Sequence, residues 1–218
     1  EPEPPAPVTE PEKTFEEVLD EHPVSIQVNG QWQTFPNARA AEEAAYGEYK
    51  DNLRRTAENF RITDDHLGEG GPKAKFQANI AAIKLLKYLE ETTEQATPEQ
   101  QKILSRYVGW GGLADAFDPE KPAWAAEYTQ LKELLTPEEY TAARGSTLNA
   151  HYTSPTVIRA IYETVGRMGF ETGNILEPSM GVGNFFGMLP EKMRNSRLYG
   201  VELDPISGRI AKQLYPKA

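Results

Sequence analysis

Two acidic residues close two short apolar runs in the last third of the chain: Glu177 follows Asn174-Ile175-Leu176, and Glu202 follows Leu198-Tyr199-Gly200-Val201. Between them lies a turn with glycine at 181 and 183, then Phe185 and Phe186. Ile175 and Leu176 suit a strand buried in a parallel sheet. Pro178 has no N–H for a ladder, so that strand stops at Glu177. The ligand crevice of such a sheet opens at the strand end. Gly181 and Gly183 permit backbone angles and a close approach that a Cβ would block, so the loop can run directly beneath a ligand. Phe185 and Phe186 begin the helix that follows. The second run, read as a strand over 198–202, brings Glu202 to the place where a carboxylate accepts both hydroxyls of a ribose. Run, turn, helix and run make one βαβ half of a nucleotide-binding fold, and its chemistry is recognition of a nucleoside.

Departures from the dinucleotide fingerprint narrow the ligand. Gly-x-Gly-x-x-Gly needs glycine at 186, but Phe186 stands there and Gly187 comes one residue late, which disfavours a pyrophosphate. The acid at 177, just before the glycines, repels phosphate and suits a ligand that carries an ammonium and a sulfonium. S-adenosylmethionine has both.

Ile175-Leu176-Glu177-Pro178-Ser179-Met180-Gly181-Val182-Gly183-Asn184-Phe185 resembles motif I of the adenine-N6 DNA methyltransferases, and Gly200-Val201-Glu202-Leu203-Asp204-Pro205 resembles their motif II. Upstream, His151-Tyr152-Thr153-Ser154-Pro155 resembles the Thr-Pro motif that precedes the first helix of that fold and touches the methionine end. With Gly109-Trp110-Gly111-Gly112 and Arg61-Ile62-Thr63-Asp64-Asp65, these stretches resemble the large DNA methylase and helicase-like proteins of bacterial conjugative elements and phages, over residues 59–216.

The resemblance implies an α/β chain: an incomplete Rossmann-like class I S-adenosylmethionine-dependent methyltransferase fold, preceded by a mainly helical region and a small β-hairpin. It implies cofactor contacts at Tyr152, Thr153, Glu177, Pro178, Gly181, Gly183, Glu202 and Leu203, with Thr153 and its adjacent backbone at the methionine carboxylate. In that family an adenine flipped from the duplex presents its amino nitrogen to the cofactor methyl. An Asn or Asp in an Asn/Asp-Pro-Pro-aromatic loop accepts the hydrogens of that nitrogen. No such loop occurs in this sequence, whose one Pro-Pro pair is at 4 and 5. No catalytic residue is therefore assigned. The chain is expected to hold the cofactor half of an active site, to belong to a longer DNA methyltransferase, and to be inactive alone. Motifs I and II also fit a protein or RNA methyltransferase. The alternative of a different class is a noncatalytic binding module, for antirestriction or assembly, that keeps the fold without the reaction.

The elements that position these residues are read in four parts: an acidic, Pro-rich linker over 1–14, a small hairpin plus helix over 15–58, a helical region over 59–150, and the start of the methyltransferase domain over 151–218. The linker has too little apolar content to offset ordering entropy. Val24-Ser25-Ile26-Gln27-Val28 and Gln31-Trp32-Gln33-Thr34-Phe35 alternate around Asn29-Gly30, the dipeptide most suited to a type I′ turn. A helix is expected over 38–53, with Tyr46, Tyr49 and Leu53 on one face. Over 75–91, Phe76, Ile80, Ile83, Leu86 and Leu89 recur at helical spacing and form one buried stripe. The glycines at 68, 70 and 71 with Lys73 and Lys75 suggest a phosphate contact, but a plain loop and helix start is preferred because no Gly-Lys-Ser/Thr follows. Thr97-Pro98-Glu99-Gln100 and Thr136-Pro137-Glu138-Glu139 are two capping boxes. The first leads into Ile103, Leu104 and Tyr107. Trp124, Tyr128, Leu131 and Leu135 mark a helix between the two boxes. Trp110, set among glycines, is read as a plug at a helix junction ahead of an aromatic that stacks on a base or covers a cofactor. Thr153 and Ser154 are expected to cap a helix whose Ile158, Ile161 and Val165 face the sheet and which ends at Gly169. Asp204 is expected to cap the last helix.

Composition bounds the rest. With 33 acidic and 23 basic residues, a formal charge of −10, this surface repels phosphate, so DNA is expected to be gripped through the longer parent with little affinity here. There is no cysteine, which removes disulfides and thiolate metal sites, and the three histidines show no ligand spacing, so no metal is expected. No leader and no membrane span are read in the sequence, and a cytoplasmic protein is expected. Two strands make a marginal sheet, so self-association through strand edges, or loose order after Gly173, is expected.

Overall fold

The computed structural model describes residues 22–64 and 66–218; the linker expected over 1–14 and Asp65 lie outside them. The chain divides into two compact units, Glu1–Thr56 and Ala57–Ala218.

In the first unit, β1 (Val24–Val28) pairs antiparallel with β2 (Gln31–Phe35), Val24 opposite Phe35 and Val28 opposite Gln31. Asn29 and Gly30 carry the hairpin turn with φ of 50° and 73°, the two positive angles of a type I′ turn. Helix α1 (Ala38–Thr56) packs on this hairpin through buried Ala41 and Val28. Tyr46 and Tyr49 stack with centroids 6.4 Å apart, one turn apart on the face expected for them. The side chain of Leu53 lies outside the described ones.

The second unit is organised on α2 (Pro72–Glu91), which starts at Gly71 with Pro72 in its first turn and buries Phe76, Ile80, Ile83, Leu86 and Leu89. Both capping boxes form, Thr97 with Gln100 ahead of α3 (Pro98–Leu104) and Thr136 with Glu139 ahead of α5 (Pro137–Ser146). After α3, Leu104 and Tyr107 are buried while Ile103 is exposed, because a seven-residue helix turns only a narrow face to α2. Trp124 lies in a 3-10 turn, Pro122–Trp124, so α4 runs Ala125–Leu134. Lys73 Nζ donates to the Ala123 carbonyl at 2.6 Å, pairs with Glu127 at 2.6 Å and sits 3.9 Å over the Trp124 ring. Its charge is spent in the fold, which agrees with the plain helix start.

Helix α6 (Pro155–Arg167) buries Pro155, Ile158 and Tyr162. Its inner stripe is therefore turned away from the expected one, and Ile161 is exposed. Ser154 occupies the N-cap position but makes no side-chain cap bond. At the other end Gly169, at φ 91°, closes a Schellman motif in which Phe170 N–H bonds Val165 O and Gly169 N–H bonds Gly166 O.

Strands β3 (Asn174–Glu177) and β4 (Arg197–Gly200) pair in parallel, Glu177 opposite Gly200. The crossover holds only one helical turn, α7 (Asn184–Gly187), since Pro190 stands three residues on, in front of another 3-10 turn. Strand β4 ends before the expected Glu202. Val201 N–H still bonds Glu177 O, but Val201 O accepts from Met180 N–H in the glycine loop, so the chain leaves the ladder there. Helix α8 (Pro205–Leu214) is gripped by residues of the 59–150 region: Phe60 N–H bonds Leu214 O, and Gln95 and Gln101 both donate to Gln213 O. Residues drawn as separate regions in the sequence, 59–150 and 151–218, thus pack on a common core.

Candidate functional site

A cavity of about 460 Å³ opens where β3 and β4 end, within the size range of ligand pockets, roughly 300–1,000 Å³. Glu202 lines it. Its Oε2 accepts the Gly181 N–H at 2.7 Å and its Oε1 accepts the Asp204 N–H at 2.7 Å. Each carboxylate oxygen has a second lone pair, so the group is held in place with acceptor capacity left over. Gly181, at φ 55°, lies in the loop that Glu202 holds. Leu203, 97% exposed, forms the rim.

Glu177 lines the cavity from the β3 side. Burial raises its pKa above the ordinary carboxylate range, partly offset by the Ser179 backbone bond. A half-buried carboxylate paired with no cation among the described residues is a group that a positively charged ligand would stabilise. Asp204 caps α8 through Oδ2, which accepts from Ser207 N–H at 2.8 Å and Ser207 Oγ–H at 2.6 Å. That is the capping role read for it, and Asp204 also lines the cavity.

Of the eight residues read as cofactor contacts, Tyr152, Thr153, Glu177, Gly181, Glu202 and Leu203 line this cavity; Pro178 and Gly183 do not. Pro178 is exposed beyond the strand end, where it stops the ladder. Gly183 is buried at φ 84°, where a Cβ would meet the Tyr215 ring. Both shape the loop from behind.

Part of the wall was not read from the sequence. Tyr107 and Gly109, the end of α5 at Gly145 and Ser146, and Asn149 contribute to it. Burial pushes the Tyr107 hydroxyl well above its ordinary pKa, and Asp204 and Tyr152 add to the shift. Asn79 was not read as part of the site either. It is wholly buried on α2, where its amide donates to Gly109 O at 2.6 Å and accepts from Val108 N–H at 2.9 Å. A buried asparagine on the apolar stripe of a helix is the one available cue, since such a group must find partners. Trp110 is fully buried, edge-on to Phe76, Tyr107 and Phe117. It plugs a junction and offers no face to a base. Among the described residues no three His, Asp or Glu side chains gather as a metal site, and no helix is long and apolar enough to cross a membrane.

Known proteins similar to this chain include an antirestriction protein and a methyltransferase, both viral. Over 150 residues, 69% of its length, the chain is 26% identical to "Defense against restriction protein B" of Escherichia phage P1. Over 52 residues, 24% of its length, it is 42% identical to "Type II methyltransferase M.CvrRI" of Paramecium bursaria Chlorella virus XZ-6E. The chain spans 5% of the first protein and 13% of the second. No family model matches the chain, and no solved structure matches it.

Proposed function

We propose that this chain is the S-adenosylmethionine-binding part of an adenine-N6 DNA methyltransferase of a mobile element, working in the cytoplasm, with a Rossmann-like class I domain over 151–218 seated on the helical residues before it. The observation that carries the reading is Glu202, held just beyond the end of a parallel strand by the Gly181 and Asp204 N–H groups and lining the cavity. The donor set fits the cofactor. Glu202 would accept the ribose hydroxyls, Leu203 would lie along the base, and Glu177 would face the positive methionine end, with Tyr152 and Thr153 beside it. When bound, S-adenosylmethionine supplies an electrophilic methyl group. The residues described here bind and orient; none is placed to activate an amine, and DNA would be engaged through other parts of a longer protein.

Calorimetry with S-adenosylhomocysteine, and with its analogue lacking both ribose hydroxyls, tests this. The wild-type chain is expected to bind the first saturably and the second as weakly as Glu202→Ala binds the first. Undetectable binding, or equal binding of the two ligands, sinks the reading. The 150-residue likeness to the phage antirestriction protein favours one second reading, a module that keeps the cavity for assembly or antirestriction without methyl transfer. It is separated from the first by assaying methylation of mixed-sequence DNA by the longer parent.

A further inference from the structure

We propose that the Gly109-Trp110-Gly111-Gly112 segment is a positioning element of this cavity, which wedges the Tyr152 ring against Gly181 and so sets the glycine loop. The inference rests on the reading of the cavity as a nucleoside site only for its first readout. Tyr152 is held on both ring edges. A Cβ at Gly109 would stand 2.9 Å from its Cε2, and a Cβ at Gly181 would stand 2.8 Å from its Cε1. Both glycines have positive φ, 65° and 55°. The tip is held as well, since the Tyr152 hydroxyl lies 3.3 Å from Ser207 Oγ. Ser207 gives its one hydroxyl hydrogen to Asp204 Oδ2, so Tyr152 donates to Ser207. The ring therefore spans three pieces of chain: the glycine segment, the loop after β3, and the first turn of α8.

The wedge has a firm back wall. Asn79 bonds both Val108 N–H and Gly109 O, Trp110 is locked in the aromatic cluster, and a side chain at Gly111 would run into the Ala150 carbonyl. Gly181 in turn gives its N–H to Glu202. A shift at Gly109 is thus passed through one rigid ring to the loop that meets Glu202. The competing account is that these glycines only serve a tight helix junction. Gly112 separates the two. It too has a positive φ, 74°, but a Cβ there meets nothing within 4 Å. Alanine at 109 and at 112 therefore brings comparable backbone strain, and only the first pushes on Tyr152.

The experiment uses the full chain with Gly109→Ala, Gly112→Ala, Tyr152→Ala and the double variant Gly109→Ala/Tyr152→Ala. The first readout is the Kd for S-adenosylhomocysteine, beside the melting temperature. Gly109→Ala is expected to raise Kd about tenfold and Gly112→Ala less than about twofold at a similar loss of melting temperature, with Gly109→Ala adding little once Tyr152 is alanine. The second readout is hydrogen exchange at the Gly181 amide without ligand, expected to speed up in Gly109→Ala and not in Gly112→Ala. Failure of the wild type to bind S-adenosylhomocysteine overturns the cofactor reading but leaves the exchange comparison to decide the positioning role. Equal behaviour of the two alanine variants, or a Gly109→Ala effect that persists without the Tyr152 ring, overturns the inference. If Gly109→Ala does not fold, Tyr152→Leu must speed exchange at Gly181, and unchanged exchange there overturns it too.

Discussion

Glu202 and Asp204 sit two residues apart and do different work. Glu202 fastens the glycine loop through Gly181 and keeps lone pairs for a ligand, whereas the Oδ2 of Asp204 is occupied by Ser207. Charge-assisted bonds from a carboxylate are worth about 1.5 to 3 kcal/mol each, and a lost cap costs about 1 kcal/mol of stability. Glu202→Ala is therefore expected to weaken S-adenosylmethionine binding more than Asp204→Ala, and Asp204→Ala to show mainly as a lower melting temperature; calorimetry and melting curves on both variants decide it. Glu177 gives a prediction of opposite signs. Its folded pKa is raised by burial, so its stabilising contribution is present below the unfolded carboxylate pKa and is lost as pH rises through the folded value. Once ionised, Glu177 is a poorly solvated charge in the ligand-free protein. Glu177→Gln is expected to raise the neutral-pH melting temperature while lowering affinity for S-adenosylmethionine about tenfold, as a charged acceptor is replaced by a neutral one. A variant that loses stability and keeps affinity would count against the role given to Glu177.

At the scale of elements, the joint between helices turns on Glu139. It is only 6% exposed, and it accepts from Thr136 N–H in its capping box, from Lys87 of α2 and from Arg209 of α8, which also grips Glu90. Burial alone would raise its pKa, but bonds from Arg209, the Thr136 backbone and Lys87 outweigh that and hold it below the ordinary value. A lowered folded pKa means stability that is present above the unfolded pKa and lost as pH falls through the folded one. Glu139→Gln is expected to cost about 3 kcal/mol at neutral pH, the low end for removing one partner of a buried pair because Lys87 and Arg209 are partly exposed, and to flatten the acid limb of a urea stability profile. The same residue shows what could be read in advance. Its capping box was legible because it spans four residues, and its ion pairs were not, because they join 87, 139 and 209. The hairpin turn at Asn29-Gly30, the buried stripe of α2 and the strand before the glycine turn are likewise local and stand where the sequence put them, whereas β4 stops at Gly200. Ile103 and Ile161 were misplaced because periodicity gives a stripe without its exact phase, which packing against a neighbour sets. Six cavity-lining residues were legible in sequence motifs, whereas Gly109, Ser146 and Asn149 reach the cavity only through tertiary packing.

For the whole molecule, the formal charge of −10 and the absence of an Asn/Asp-Pro-Pro-aromatic loop lead to one expectation: the chain alone gives no transfer of labelled methyl to mixed-sequence DNA. Turnover by this chain would overturn the division of labour proposed above. The sheet gives the last prediction. Parallel sheets are normally covered on both faces, yet Leu176 is 63% exposed and Tyr199 48%, on the face opposite Ile175 and Leu198, which pack toward the core. Val201 and Leu203 extend the exposed apolar surface beyond the strand ends, and among the described residues β3 and β4 each pair on one edge only. Unpaired edges beside an open apolar face favour association with further strands or with a second copy. We expect this chain to self-associate with rising concentration in sedimentation velocity. Leu176→Lys with Tyr199→Lys should abolish that association and leave S-adenosylhomocysteine binding within about twofold, since neither side chain lines the cavity. Hydrogen exchange should show the amides of 174–177 and 197–200 gaining protection as the protein concentrates, while those of 80–89, already buried in α2, stay unchanged. A chain that remains monomeric throughout, with the strand amides as protected as those of α2, would show that the open face is stable in water and that this expectation is wrong.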